Sequence, residues 1–332
     1  MVMRFGAVII ATDPPNEFIK VVEMCEDLGF DTIWDTDASL HARDAYPYLT
    51  LLALHTTRAR IGVNVSHPFT RHPAVTANAI ATVDEIAQGR TILGVGAGDR
   101  PQTELGQRPA RVAELREMVE LIRRLLRREK ITHDGPTFRV KEGQLRSGFT
   151  SEIPIYMAAS GPRMLELAGE VADGVIMQVG IAPEGVDYAL SHLRRGAEEA
   201  GRSMADLELC LILNCCIYRD RARAIREGRL HAAWYPQTAP RATEAIGVSK
   251  ERADRIRAAY SGGHLNEALD AAELVPDDLV QKFVLAGAPE EVRDMIHKVA
   301  EKGIQQIQIF ALGPDRHQIL RTFGETVIPH FR

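Results

Sequence analysis

The sequence predicts an α/β protein whose parallel strands close into an eight-stranded (β/α)8 barrel, with a helical insertion between strands seven and eight. Eight strand-like runs alternate with helix-length amphipathic stretches, which implies a parallel sheet. The strands are short and apolar on both faces, as expected where helices cover the outside and packed side chains fill the inside. A doubly wound open sheet competes, but its usual GxGxxG turn after the first strand is missing: here that strand runs into ATDPPN.

In chain order the proposed strands are Arg4–Ile10, Thr32–Asp35, Ile61–Val65, Thr91–Gly96, Ile153–Met157, Val175–Gln178, Leu207–Ile217 and Ile304–Phe310. Two stretches break the spacing. Lys130–Glu152, with DGPTF and KEGQ as turn signals, reads as a small hairpin-like excursion. Arg219–Asp278, rich in Ala, Arg and Glu and interrupted by PQTAP, reads as two or three helices lying over the strand C-termini. Trp234 and Tyr235 are its apolar contributors, either to a substrate cover or only to packing on the barrel. The whole chain of 332 residues is taken as one barrel domain.

Composition limits the function classes. Hydrophobic residues make up 45% and charged residues 26%, ordinary for a globular chain, and a net charge of -5 gives no reason to expect nucleic-acid or membrane-surface binding. The arginines and lysine at Arg123, Arg124, Arg127, Arg128 and Lys130 read as a solvated helix face. The first segment, MVMRFGAVIIATDPP, reads more simply as a first buried strand than as a targeting signal, and Cys25, Cys210, Cys215 and Cys216 lack CxxC spacing. Both features fit reduced thiols in a cytoplasmic protein.

The chemistry gathers at strand ends. After the fourth strand, Gly94-Val95-Gly96-Ala97-Gly98-Asp99 would let backbone approach a flat ligand, with Asp99 placed to bind or protonate it; a purely structural turn reads the same way. After the fifth, Ala158-Ala159-Ser160-Gly161-Pro162 opens a helix whose free N–H groups favour an anion, and Ser160 as a plain N-cap explains the same letters. The third strand ends in Asn64-Val65-Ser66-His67-Pro68, followed by Arg71 and His72, a spacing that matches no metal-ligand pattern, so no metal is expected. HxH, GxSxG and Walker signatures are absent.

At these residues the chain resembles the bacterial-luciferase-like superfamily of flavin- and deazaflavin-dependent oxidoreductases, and within it the coenzyme F420-dependent methylenetetrahydromethanopterin reductase branch. The resemblance runs through GFDTIWDTD at Gly29–Asp37, IGVNVSHPFTRHPA at Ile61–Ala74, GRTILGVGAGD at Gly89–Asp99, IPIYMAASGPRMLELAGEVADGVIM at Ile153–Met177 and the C-terminal TVIPHFR. It implies a TIM-type barrel with the ring across the strand C-termini, backed by a non-prolyl cis peptide at Asn64–Val65. By the same resemblance Asp37 and the Gly96–Gly98 turn, Ala97 included, flank the ring. Ala159, Ser160 and Gly161 meet the phosphate, and Gln178 with Val179 line the cofactor channel. Arg100, Arg108 and Arg111 near the fourth strand end could meet carboxylates of a deazaflavin tail, and solvated arginines at a helix start read the same way.

Two departures stand out. Asp35-Thr36-Asp37-Ala38 lacks the histidine that many relatives carry after the aspartate, with His41 as a possible substitute, and the first strand lacks the reductases' glutamate. The resulting expectation is an F420-dependent oxidoreductase acting on a small alcohol, ketone or imine-like molecule, with Asp99, then His67 and Asp37, as proton-transfer candidates. An FMN-dependent monooxygenase and a flavin-binding protein without turnover are the alternatives. A homodimer is expected, as is common in the family.

Overall fold

The computed structural model describes residues 3–147, 152–260 and 269–332. The strands are β1 (Arg4–Ile9), β2 (Thr32–Asp35), β3 (Arg60–Ser66), β4 (Thr91–Val95), β5 (Ile131–Asp134), β6 (Arg139–Gly143), β7 (Ile155–Ala159), β8 (Gly174–Met177), β9 (Glu208–Ile217), β10 (Leu285–Gly287) and β11 (Gln306–Phe310). Eight of them pair in parallel in the cyclic order β1-β2-β3-β4-β7-β8-β9-β11, and the β8–β9 and β11–β1 pairings close a TIM-type barrel. Helices α1 (Pro15–Asp27), α2 (Ala45–His55), α3 (Pro73–Ala87), α4 (Arg100–Glu104), α5 (Val112–Leu126), α6 (Pro162–Val171) and α7 (Pro183–Glu199) follow the first six barrel strands. Pro at the first turn of α1, α3, α6 and α7 supplies a preset φ where no N–H partner is needed.

Inside the barrel, alternate residues of each strand meet. Trp34 and Tyr156 fill the centre with Val8, Ile92, Ile176 and Cys210. Opposite them are glycines, because a Cβ on Gly62 would stand 2.5 Å from Trp34 Cζ3 and one on Gly174 2.7 Å from the Tyr156 ring. Two large rings and their glycine partners thus interdigitate, leaving no room for a Cβ at either glycine. At the N-terminal end of the barrel the floor is ionic: Arg60 makes two bonds to Glu208, at 2.7 and 3.0 Å, joined by Arg4 at 3.1 Å and by the Tyr156 hydroxyl.

Several expectations shift in detail. The fifth barrel strand begins at Ile155 rather than Ile153, since Pro154 has no N–H for the ladder, although its carbonyl accepts from Leu93 N at 2.9 Å. The excursion is an antiparallel β5–β6 pair, with residues 148–151 of it outside the described residues. Among the described residues the insertion holds six helices where two or three were expected: α8 (Arg221–Ala232), α9 (Tyr235–Thr238), α10 (Pro240–Ala245), α11 (Lys250–Ala259), α12 (Leu269–Glu273) and α13 (Asp277–Phe283). Residues 261–268 of that expectation lie outside the described ones. Beyond it β10, which sequence reading missed at three residues, pairs with the overhanging end of β9, ahead of α14 (Pro289–Ala300) and β11. Tyr235 stacks on Phe283 at 4.6 Å and is buried within the insertion, a packing role. Arg123 is a structural tie, bonding Val171 O and Asp173. All four cysteines are buried and unpaired. Among the described residues no helix is long and apolar enough to cross a membrane.

Candidate active site

The strand C-termini bring the β2 and β3 segments into contact. Asp37, just past β2, is buried, and its Oδ2 accepts from Ser66 Oγ at 3.4 Å; Ser66 Oγ in turn shares a 2.8 Å hydrogen bond with the Tyr46 hydroxyl of α2. His67 is also buried, with Nε2 3.2 Å from the Asp37 carbonyl and Nδ1 without a partner. Arg71 lies over the Tyr46 ring at 4.6 Å and bonds Asp44, the N-cap of α2. Burial pushes the Asp37 carboxyl above its ordinary range, against the pull of His67 and Arg71. Asp35 is fully buried and faces the same pressure more strongly; its Oδ1 accepts from Thr36 N and its Oδ2 has no partner.

The end of β3 bulges. Pairing with β4 steps from Val63↔Leu93 to Ser66↔Val95, and the Asn64–Val65 peptide between them is cis. Val65 packs onto the glycines of β4 and its turn: a Cβ on Gly94 would lie 2.2 Å from Val63 O, and one on Gly96 2.7 Å from Val65 Cγ2. Ala97 O accepts from Ala110 N at 2.7 Å, and Gly98, at φ +90°, lies directly under the side chain of Gln102. Gln102 is fully buried with neither end of its amide partnered, the kind of group a ligand satisfies. Asp99, the expected proton donor, is exposed, and its carbonyl starts α4.

On the opposite side, Gly161 is the N-cap of α6, with no side-chain cap and open space where a Cβ would be, so the first-turn N–H groups remain available to an anion. Ser160 does not cap the helix; its Oγ donates to Thr238 O at 3.1 Å. Ala159 O accepts from Gln178 N at 3.4 Å, Gln178 is half-buried, and Val179 is fully buried in the core. Across the mouth His41 Nε2 pairs with Glu104 at 2.6 Å, tying the turn after β2 to α4. Beside the mouth a cavity of about 560 Å³ is lined by Phe69, His72, Gln107, Arg108 and Phe138. Arg108 is bonded twice to Glu114, the Arg111 main chain caps onto the same carboxylate, and the Arg100 side chain lies outside the described residues. His72 caps α3, and among the described residues no group of three His, Cys, Asp or Glu could hold a metal.

Residues 3–306 match the family described as luciferase-like monooxygenase. The chain belongs to this family. The luciferase-like chain is 31% identical to 5,10-methylenetetrahydromethanopterin reductase of Methanopyrus kandleri, over 99% of both chains. It is 29% identical to the F420-dependent glucose-6-phosphate dehydrogenase of Nakamurella multipartita, over 99% of this chain and 97% of that one. The solved structure of the coenzyme F420-dependent tetrahydromethanopterin reductase from Methanopyrus kandleri superposes with a TM-score of 0.88 at 29% identity, covering all of both chains. Sequence reading of this luciferase-like site missed Gln102, for which no signal exists, and Gln306 and Gln308, whose alternation with isoleucine in QIQIF marks polar residues turned into the lumen.

Proposed function

We propose that the protein is a coenzyme F420-dependent oxidoreductase that moves a hydride between the deazaflavin C5 and a small organic molecule, an alcohol/ketone or imine-like pair. The observation that carries this reading is the convergence, at one end of the barrel, of buried polar atoms without partners (Gln102 Oε1 and Nε2, His67 Nδ1) with a glycine turn and an uncapped helix N-terminus. Such a set fits a planar ring bearing amide-like edges and a phosphate tail. Full-length relatives named for F420 but for different substrates support the choice of cofactor over FMN.

Bound F420 supplies the hydride chemistry, and the protein supplies orientation and protons. Val65 and the Gly96–Gly98 turn, with Asp37 and Asn64, would flank the ring. Ala159, Ser160 and Gly161 would present main-chain N–H groups to the phosphate, with Gln178 and the Val179 main chain beside them. Asp37 is placed first for proton transfer, because a buried carboxyl with a raised pKa holds its proton nearer neutrality, ahead of His67 and the exposed Asp99.

The reading extends to a single barrel domain, a small-molecule rather than nucleic-acid partner, a cytoplasmic location and a homodimer. Leu54 of α2 and Val75 of α3, 64% and 53% exposed on two helices packed together, support the dimer, which light scattering after gel filtration tests. The cofactor test is a parallel fluorescence titration of the apo-protein with F420 and FMN. Selective F420 binding is expected; selective FMN binding transfers the case to an FMN-dependent monooxygenase, and binding of neither removes the reading. Tight F420 binding without turnover on alcohols, ketones or imines would identify a non-catalytic binder.

A further inference from the structure

Four uncharged side chains run in single file through the barrel. Gln306 Nε2 donates to Thr32 Oγ1 at 3.0 Å, Gln308 Nε2 to Gln306 Oε1 at 2.9 Å, and Asn64 Nδ2 to Gln308 Oε1 at 3.1 Å. Thr32, Gln306 and Gln308 are fully buried and Asn64 is 8% exposed. Barrels of this kind are ordinarily filled by branched apolar residues, and an amide taken out of water is unfavourable unless its bonds are made. Three amides in line therefore ask for a purpose other than filling space.

The line has direction. It begins at Thr32, at the start of β2, and ends on Asn64, which leaves the β3–β4 ladder together with Val65. On the β4 side Val65 itself is seated by contact, against Gly94 and Gly96, and the ladder resumes beyond it where Gly96 N donates to Ser66 O at 3.1 Å. The Asn64 amide ties it by a hydrogen bond to β11, which lies three places around the barrel from β3. Gly6 of β1 keeps the path open: a Cβ there would stand 3.1 Å from Gln308 Cγ and 3.4 Å from Gln306 Oε1.

We propose that Gln308 is a positioning residue that, acting through Asn64, holds the β3 bulge in register with the cofactor ring. This rests on the F420 reading above. Gln308 touches no reacting atom; it fixes which way the Asn64 amide faces and how far the bulge sits from the barrel axis.

The test is F420 affinity by fluorescence titration for the wild type, Gln308→Leu, Asn64→Ala and the double variant, with thermal melts alongside. Loss of one neutral hydrogen bond predicts about five- to tenfold weaker binding for either single variant. The double variant is expected to bind no more weakly than Asn64→Ala, since Gln308 has nothing left to position. A merely structural glutamine would lower the melting temperature and leave the dissociation constants unchanged or additive, and either result overturns the proposal while the F420 reading stands. Failure of the wild type to bind F420 overturns both. If Gln308→Leu does not melt cooperatively, Asn64→Ala and the double variant, in which both partners are gone, carry the comparison: a further loss on adding Gln308→Leu to Asn64→Ala refutes the proposal.

Discussion

Replacing Gly94 by Ala tests whether the β3 bulge is held by close approach. The new Cβ would stand 2.2 Å from Val63 O and 3.0 Å from Val65 Cγ1. An ordinary carbon–oxygen contact is about 3.3 Å, so the β3 main chain must retreat by about 1 Å. Val63 is paired with Asp35 of β2 on one side and Leu93 of β4 on the other, which leaves it little freedom to do so. Overpacking of this kind destabilises by about 1–3 kcal/mol. The retreat would carry Val65 with it, and a ring seated on that side chain should bind about tenfold more weakly or worse. Urea denaturation and F420 titration measure the two effects. Gly161→Ala serves as the stability control, since nothing lies within 4 Å of its Cβ, and should stay within about 0.5 kcal/mol of wild type. A Gly94→Ala protein with wild-type stability and affinity would refute the reasoning.

Other outcomes follow from the charged groups. Burial works against ionisation of Glu26, but bonds from Thr57 N and Oγ1, Arg58 N and Ala59 N outweigh it and hold its pKa below the usual 4.5. Glu26→Gln should therefore lose about 2–4 kcal/mol near neutrality, a difference that fades in melts taken as pH falls below that value through the folded pKa. Asp37 has the opposite sign: its folded pKa lies above the ordinary 3.8, so its favourable contribution is complete below that value and is lost as pH rises through the folded pKa. Asp37→Asn should accordingly be more stable than wild type at pH 7 and not at pH 3, and steady-state turnover should fall by about 10²-fold or more if Asp37 moves the proton. Glu208→Gln removes the charge that Arg60 and Arg4 share at the partly exposed barrel floor and should destabilise by about 1–3 kcal/mol in urea while F420 affinity stays unchanged, because the floor is remote from the strand C-termini.

Much of this architecture was legible because apolar runs bounded by Gly and Pro are local signals. All eight barrel strands could be placed from them, whereas the bulge at Asn64 and Val65 was expected only from the family resemblance. What escaped was set by tertiary context. β10 is only three residues long and exists because β9 overhangs the barrel. Asp99 and Asp37 are equivalent as letters; only the fold buries Asp37 beneath Ser66 and Tyr46 and leaves Asp99 in solvent. Ser160 next to a helix start reads as a cap, yet the nearby insertion offers its hydroxyl a carbonyl instead.

That last bond bears on how the protein diversifies. The acceptor at Thr238 is a main-chain oxygen, which every amino acid carries, and Tyr188 likewise bonds the main chain of Ser160. The joint between the helical insertion and the proposed phosphate loop is therefore blind to side-chain identity at Thr238. Side-chain substitutions in α9 can accumulate while this bond survives, so the insertion can diverge with little penalty to the proposed phosphate loop.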